Sequence, residues 1–239
     1  MNLRSIATAF TGIAASLLID GQTLHSMFKL PIPCNSGENI TRIKKNSPQA
    51  YIIRYSKILI VDEASQISKS ILEALDRFLR DLCDLPNVPF GGICIVLAGD
   101  FRQCLPIIEF QGNNSGVMHC MKMSYLWEHF DIKHLTVNVR ADPGEIEFKD
   151  WTLSIGNGTA EVIDHDSLIR LDDRVIVREN IIDEVFGAGP LTMQNLRNTN
   201  KAILCPTNKD SLEINEVINN RLEGLHGNVI LNSLKRFII

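Results

Sequence analysis

The sequence predicts an α/β fold built on a parallel sheet, and three observations support this prediction. Short apolar, β-branched runs alternate with segments of helical periodicity. Two of these runs, 57–61 and 92–98, end abruptly in charged or glycine-containing sequence, which is typical of buried parallel strands. The 239 residues are 45% apolar and 22% charged, which is a globular composition and excludes the class of disordered proteins.

The first half of the chain predicts strands and helices in alternation. Residues 6–10 are expected to form the end of a buried strand, followed by a helix over 12–18. Residues 31–50 are rich in Pro, Asn, Ser and Gly, which predicts a loop. The run 57–61 predicts a fully buried strand, and 68–82 has the apolar spacing of an amphipathic helix.

The second half continues the alternation with weaker signals. Residues 92–98 predict a second buried strand, with Cys94 in the core, and 134–137 predict a third. A helix is expected over 145–155, where glycines follow. Residues 201–205 predict another strand. The helix after it extends to about residue 222, with inward-facing residues Ile214, Val217 and Ile218.

The net charge and the cysteine spacing exclude some classes of protein. The 24 basic and 28 acidic residues give a net charge of −4, which excludes a uniformly basic nucleic-acid coat but permits a local binding groove. None of the six cysteines forms a Cys-x-x-Cys pair, so no zinc or iron–sulfur spacing is present. Reduced thiols predict an intracellular protein.

The apolar run 6–19 after Arg4 has two interpretations. It is similar to the core of a signal peptide, but Thr8, Thr11 and Ser16 interrupt it and no clean cleavage site follows. The run is also too short to span a bilayer, so no membrane partner is predicted.

The strongest chemical signal is the run 58–63, Ile-Leu-Ile-Val-Asp-Glu. Ligands of parallel sheets bind beyond the carboxyl ends of the strands, so this strand brings two adjacent acids to that edge. Asp62 is a candidate Mg²⁺ ligand, and Glu63 a candidate base for water attack on a γ-phosphate. A strand that merely ends in solvated acids is the open alternative.

A second strand end carries Gly99-Asp100-Phe101-Arg102-Gln103. Gln103 is a donor and an acceptor, which suits a sensor of the γ-phosphate, whereas a simple polar turn is the alternative. Arg140 follows the predicted strand over 135–138 and is a candidate arginine finger, although a surface arginine is the common case. His25 and Phe28 offer rings for stacking on single-stranded nucleic acid, whereas Phe28 alone is more typical of a core residue.

Several motifs occur in a fixed order: Thr-Gly-Ile-Ala-Ala, then Asp-Glu, then Gly-Asp-Phe-Arg-Gln. This order resembles the PIF (petite integration frequency) family of superfamily-one DNA helicases, and in particular those carried by Helitron transposons. The resemblance covers nearly the whole chain. It is carried by residues 9–15, 21–26, 28–31, 60–65, 97–106, 135–140, 151–158, 203–208 and 213–215.

The resemblance implies a RecA-like P-loop NTPase fold and an ATP-dependent helicase that moves from five-prime to three-prime. ATP and Mg²⁺ would be bound by Asp62, Gln103 and Arg140, with Glu63 as the general base and Asp100 supporting its loop. Single-stranded and forked DNA are the implied partners. The residues expected to contact DNA are Thr11, Gly12, His25 and Phe28.

At the level of the family, the resemblance also implies roles in DNA repair, recombination and telomere maintenance, in the nucleus or the mitochondrion. Residues 1–160 are expected to form a first RecA-like domain, 161–200 a connecting segment, and 201–239 the start of a second RecA-like domain.

The sequence departs from the family pattern at both ends. The phosphate-binding loop is expected upstream of Ala9, yet no Gly-Lys-Thr or Gly-Lys-Ser occurs in the 239 residues, and the late motifs are missing too. We therefore expect a helicase truncated at both ends. A non-catalytic remnant that binds DNA or a partner is the alternative, because the main anion cradle is missing. Another Asp-Glu NTPase is disfavoured by Gly-Asp-Phe-Arg-Gln.

Overall fold

The structure, a computed structural model, describes residues 4–31, 41–103, 115–139, 144–163 and 168–222. The chain divides between Ala160 and Glu161 into two compact units. The predicted boundaries of a connecting segment and of a second domain stay predictions.

A four-stranded sheet forms the centre of the first unit. All pairings are parallel and the strand order is β2-β1-β3-β4, which confirms the predicted α/β class. Ala9 of β1 aligns with Asp62 of β3, and Val61 aligns with Leu97 of β4. The strands are β1 (Ser5–Ala9), β2 (Gln22–Thr23), β3 (Ile58–Asp62) and β4 (Cys94–Leu97).

Several helices of the first unit begin at polar caps. The side chain of Thr11 caps α1, that of Thr23 caps α2 and that of Ser68 caps α4, each by accepting a backbone N–H of the first turn. The helices expected over 12–18 and 68–82 are therefore confirmed. The elements are α1 (Gly12–Leu17), α2 (Leu24–Phe28), α3 (Pro48–Arg54), α4 (Lys69–Leu82), α5 (Ser115–His119) and α6 (Ile146–Asn157).

The core of the first unit lies between the sheet and α4. Leu59 and Val61 of β3 are buried, and the apolar face of α4 is part of the same cluster. Apolar burial of this kind stabilises by about 25 cal/mol for each Å² removed from water. The buried residues of α4 are Ile71, Leu72, Ala74, Leu75, Asp76, Leu79 and Leu82.

Asp76 is a charged residue inside this core, with 1% of its surface exposed. Its carboxylate accepts hydrogen bonds from Arg80 Nε at 2.8 and 2.9 Å and from the Phe90 amide at 2.6 Å. The Tyr125 hydroxyl donates a longer bond of 3.4 Å. Asp76 thereby connects α4 to the turn 89–92, where Phe90 has a positive φ of 53°.

Three predicted strands differ from the structure. Residues 134–137 form no strand, and Leu135 and Val137 are 99% and 77% exposed, because no neighbouring strand pairs with them within the described residues. Residues 201–205 likewise pair with no strand in the described part of the chain. The strand predicted over 92–98 exists as β4. It is the outermost strand on one side of the described sheet, and Cys94 is exposed there rather than buried.

The loop expected over 31–50 and the strand over 57–61 need smaller corrections. Helix α3 already begins at Pro48, since proline is favoured in the first helical turn. Strand β3 alternates between buried and partly exposed residues instead of being buried throughout.

The second unit packs three helices around its own small core. They are α7 (Ile181–Phe186), α8 (Met193–Asn198) and α9 (Asn208–Asn220). Ile218 of α9 is buried with Ile182, and Ile214 packs against this cluster, as predicted. Val217 is 41% exposed, so its predicted inward orientation is wrong. Over the described stretches of the chain, no helix combines the length and apolar character needed to cross a membrane.

Candidate functional site at the carboxyl edge of the sheet

The strand order places four polar chain segments at one edge of the first unit. Because the strands are parallel, the residues after β1, β2, β3 and β4 all leave from their carboxyl ends. The Phe10 amide donates to the Asp62 carbonyl at 3.1 Å, which joins the first and third of these segments. We call this region the strand-end site. Its segments are 10–12, 24–25, 62–65 and 99–103.

Asp62 and Glu63 form a tight turn at the end of β3. The Glu63 amide donates to Asp62 Oδ1 at 2.9 Å, and Glu63 has a left-handed backbone with φ of 54°. Residues other than glycine adopt this conformation at a cost, and such strain is concentrated at functional sites. Both side chains are partly exposed, so both carboxylates are accessible at the edge.

Gly99 fits closely against this turn. The Ala64 amide donates to the Ala98 carbonyl at 2.8 Å, and a Cβ at Gly99 would lie 2.9 Å from the Ser65 nitrogen and 3.0 Å from that of Ala64. These neighbours are backbone atoms, which have little freedom to move aside. Glycine therefore allows the two strand ends to approach each other.

Gly99→Ala is expected to destabilise the first unit by about 1–3 kcal/mol, because the added methyl overlaps backbone. Urea unfolding would measure the loss. Gly12→Ala is the matched control, since a Cβ there meets nothing within 4 Å. Equal stability of the two variants would show that Gly99 is not needed for the close approach.

Asp100 organises the turn that carries Gln103. Its carboxylate accepts from the Arg102 amide at 3.0 Å and from Arg102 Nε at 2.8 Å, and the Gln103 amide donates to the Asp100 carbonyl at 3.1 Å. The hydrogen bond from the Arg102 side chain lowers the pKa of Asp100 below its ordinary value. These contacts agree with the prediction that Asp100 supports this loop.

Aromatic packing also stabilises the turn that carries Gln103. The Phe101 ring meets Trp127 edge-on, with centroids 5.9 Å apart, and Lys122 Nζ lies 3.9 Å from the Phe101 centroid. A Cβ at Gly156 of α6 would lie 3.4 Å from the Arg102 side chain. Sequence reasoning missed these supports, because residues distant along the chain supply them.

Three of the four predicted DNA-contacting residues lie in the strand-end site. Thr11 and Gly12 follow β1, where Thr11 caps α1, and Gly12 is exposed. His25 lies in α2, and its ring meets Phe10 edge-on at 5.6 Å. Burial lowers the pKa of His25 below its ordinary value of 6.5, which favours the neutral ring.

The prediction that Phe28 stacks on DNA is wrong for this structure. Phe28 is 0% exposed and packs edge-on against Phe78 of α4 at 6.2 Å. A ring enclosed by the core has no face free for a base. Phe28 is buried because its apolar side chain is on the inner face of the short helix α2.

Arg140, the candidate arginine finger, lies outside the described residues. The segment 104–106, which completes one of the quoted motifs, lies outside them as well.

The donor chemistry of the edge fits a nucleotide with Mg²⁺. Mg²⁺ prefers oxygen ligands and is usually held by one or two carboxylates together with phosphate oxygens and waters. Within the described ranges, no cluster of three or more His, Cys, Asp or Glu side chains would hold a metal by itself. Asp62 at the strand end offers one carboxylate, so a Mg²⁺ ion held there would need phosphate oxygens and waters as its other ligands.

Comparisons with known proteins find relatives among DNA helicases. ATP-dependent DNA helicase RRM3 of Saccharomyces cerevisiae is 35% identical over 124 residues, which are 51% of this chain and 16% of that protein. ATP-dependent DNA helicase PIF4 of Trypanosoma brucei brucei is 38% identical over 116 residues, 45% of this chain and 14% of that protein. The chain therefore spans less than a fifth of these curated relatives.

A solved structure has the same fold. Pif1 helicase from Bacteroides, in complex with ADP-AlF3 and ssDNA, aligns with a TM-score of 0.65 at 24% identity. The alignment covers 95% of this chain and 49% of that one. It shows the RecA-like sheet with flanking helices. The family model described as PIF1-like helicase matches residues 2–166, more than half of the 239 residues. The chain therefore belongs to the PIF1-like helicase family.

Proposed function

We propose that this chain forms part of an ATP-dependent DNA helicase that moves along single-stranded DNA from five-prime to three-prime. The observation that carries the proposal is the convergence at one sheet edge of the Asp62–Glu63 turn and the Asp100–Gln103 turn. Gly99 keeps the two turns adjacent. A pair of acids beside a neutral amide suits hydrolysis of a nucleoside triphosphate.

Each polar residue has a proposed role in hydrolysis. Asp62 holds Mg²⁺, which neutralises phosphate charge when it is bound. Glu63 accepts a proton from the attacking water, and Gln103 contacts the γ-phosphate. Arg140 is proposed as the arginine finger that stabilises charge in the transition state.

DNA is proposed to bind at the same carboxyl edge of the sheet. Thr11 and Gly12 follow β1, and His25 follows β2. Strand β1 pairs with β2 and with β3, the strand that carries Asp62, so a structural change at the nucleotide would reach the DNA contacts over a short distance. Single-stranded and forked DNA are the proposed ligands. Roles in repair, recombination and telomere maintenance, in the nucleus or the mitochondrion, follow at the level of the family.

The test compares two proteins. The first is the purified 239-residue chain, and the second joins this chain to the phosphate-binding loop and the late motifs of a PIF1-like helicase. We call the second the completed helicase. DNA-stimulated ATP hydrolysis is expected in the completed helicase, because the added loop supplies the anion cradle.

Two outcomes separate the alternatives. A completed helicase that folds and binds ATP but does not hydrolyse it would contradict the roles assigned to the strand-end site and would favour a non-catalytic chain. Hydrolysis by the 239-residue chain itself would mean that other residues hold the phosphates.

A further inference from the structure

A basic surface with two exposed tyrosines lies on and around α3. The segment 41–57 contains five Lys and Arg residues and no Asp or Glu, although the whole chain has a net charge of −4. It also holds two of the three tyrosines of the protein. We call this region the α3 surface, which consists of Arg42, Lys44, Tyr51, Tyr55 and Lys57.

The two tyrosine rings form a tilted pair that is exposed to solvent. Tyr51 and Tyr55 are 55% and 52% exposed, and their ring centroids are 4.3 Å apart with an interplanar angle of 41°. Their spacing of four residues puts them on one face of the helix. Ala50 and Ile53, on the other face, are buried at 0% and 1% exposure and fix α3 to the core. The rings are thus held on a rigid support.

Exposed cations stand at both ends of this pair. Arg42 and Lys44 precede α3, and the Ser47 amide that opens the helix donates to the Lys44 carbonyl at 2.9 Å. Lys57 follows α3, and its amide donates to the Arg4 carbonyl at 2.9 Å, which brings a further exposed cation to that end.

Two other cations of the segment are engaged elsewhere. Lys45 Nζ pairs with Asp81 at 2.7 Å and reaches Asp84 at 3.9 Å, so these acids offset its charge. Arg54 Nε donates to the Leu82 carbonyl at 2.8 Å. The positive charge that remains is carried by residues that flank the rings.

The α3 surface is separate from the strand-end site. Helix α3 leads into the amino end of β3 at Ile58, whereas Asp62 lies at the carboxyl end of the same strand. Four residue steps of about 3.3 Å separate these ends by about 13 Å. Lys57 and the carboxyl end of α3 therefore lie near the opposite end of β3 from Asp62.

We propose that the α3 surface is a second binding site for single-stranded DNA, with bases stacked on Tyr51 and Tyr55 and phosphates on Arg42, Lys44 and Lys57. Aromatic rings flanked by cations are the usual means of binding a single strand, because every unpaired base has a face to stack. The bases of a duplex are already stacked on one another, so the rings select the single strand. This binding needs no ATP and does not depend on the proposed hydrolytic roles.

The test measures binding of a fluorescein-labelled oligothymidylate to the nucleotide-free 239-residue chain by anisotropy. Tyr51→Ala with Tyr55→Ala is expected to weaken binding about 5- to 150-fold for each stacked base lost. The pair Tyr51→Phe with Tyr55→Phe is expected to rescue it, because stacking uses the ring and not the hydroxyl. Lys44→Ala is expected to lower the salt dependence by about one unit of slope, as for one lost phosphate contact.

Controls keep the result specific. The Lys133 side chain is 80% exposed and pairs with nearby Asp131 at 2.8 Å, so Lys133→Ala is expected to retain the parent affinity and salt slope. Thermal unfolding confirms that the tyrosine variants fold, and Lys44→Ala tests the same surface without altering the helix. His25→Ala reports separately on the strand-end site.

Two results would overturn the inference. Parent affinity in the alanine pair, with a loss confined to His25→Ala, would place all binding at the strand-end site. The second result is that the parent chain binds a duplex of the same length as tightly as the single strand, and that the alanine pair loses both affinities equally. This result would mean that the rings do not select unpaired bases. Photo-crosslinks from iodouracil-substituted DNA to Tyr51 or Tyr55 are the direct positive result.

Discussion

Glu63→Gln in the completed helicase is expected to lower DNA-stimulated ATP turnover by about 10²–10⁴-fold, the usual contribution of a general base. The amide has nearly the size of the carboxylate, so ATP binding is expected to persist while proton transfer is lost. The left-handed backbone of Glu63 is held by the adjoining turn, so the substituted side chain stays at the strand end. Steady-state turnover and equilibrium binding of a labelled nucleotide would separate these effects.

Glu128→Gln is the matched control, because it removes an exposed carboxylate in the turn 127–129 without touching the strand-end site. It is expected to leave turnover unchanged. Parental turnover in Glu63→Gln would remove Glu63 from the role of base. A parallel loss of nucleotide binding would instead indicate that Glu63 supports the architecture of the site.

Asp76→Ala is expected to reduce the free energy of unfolding by about 3–5 kcal/mol, because it breaks an ion pair whose carboxylate is buried and removes the acceptor of a core amide. The substitution leaves Arg80 Nε and the Phe90 amide without their acceptor, whereas Arg80 Nη1 keeps its hydrogen bond to the Pro86 carbonyl at 3.0 Å. Phe90 also loses the contact that helps to hold its positive φ. Urea unfolding of the 239-residue chain, followed by circular dichroism, would measure the change.

Asp81→Ala provides the comparison on the same helix. Asp81 pairs with Lys45 at the surface, with 66% of its side chain exposed, and such pairs contribute about 0–1 kcal/mol. A similarly small loss in Asp76→Ala would show that the buried network contributes no more than a surface pair. Asp76→Asn, which keeps an oxygen acceptor for the Phe90 amide, is expected to fall between the two.

Local patterns were sufficient to locate the strand-end site. The run that ends in Asp62 and Glu63 is a strand, its neighbour ends in the turn before Gln103, and both belong to one parallel sheet. Parallel pairing then brings the two ends to the same edge. The sequence did not reveal that Gly99 holds the turns together, because that distance depends on the fit of two separate segments.

The burial of several residues could be assigned only from the folded structure. Phe28 and Tyr51 are both aromatic residues on short helices, but the first is enclosed and the second is 55% exposed. Asp76 lies in an amphipathic helix where its charge suggests exposure, yet it is buried because Arg80 and the Phe90 amide meet it there. The 134–137 segment has the pattern of a strand but lacks a pairing partner in the described part of the chain.

The sequence by itself therefore determined the α/β class, the strand that carries Asp62 and Glu63, and membership of a helicase family, because these depend on local periodicity and on motifs in a fixed order. Only the tertiary structure decided which side chains are buried, which strand lies at the edge, and which distant residues support the site. Burial and pairing are properties of contacts between segments far apart in the chain, and no local pattern contains them.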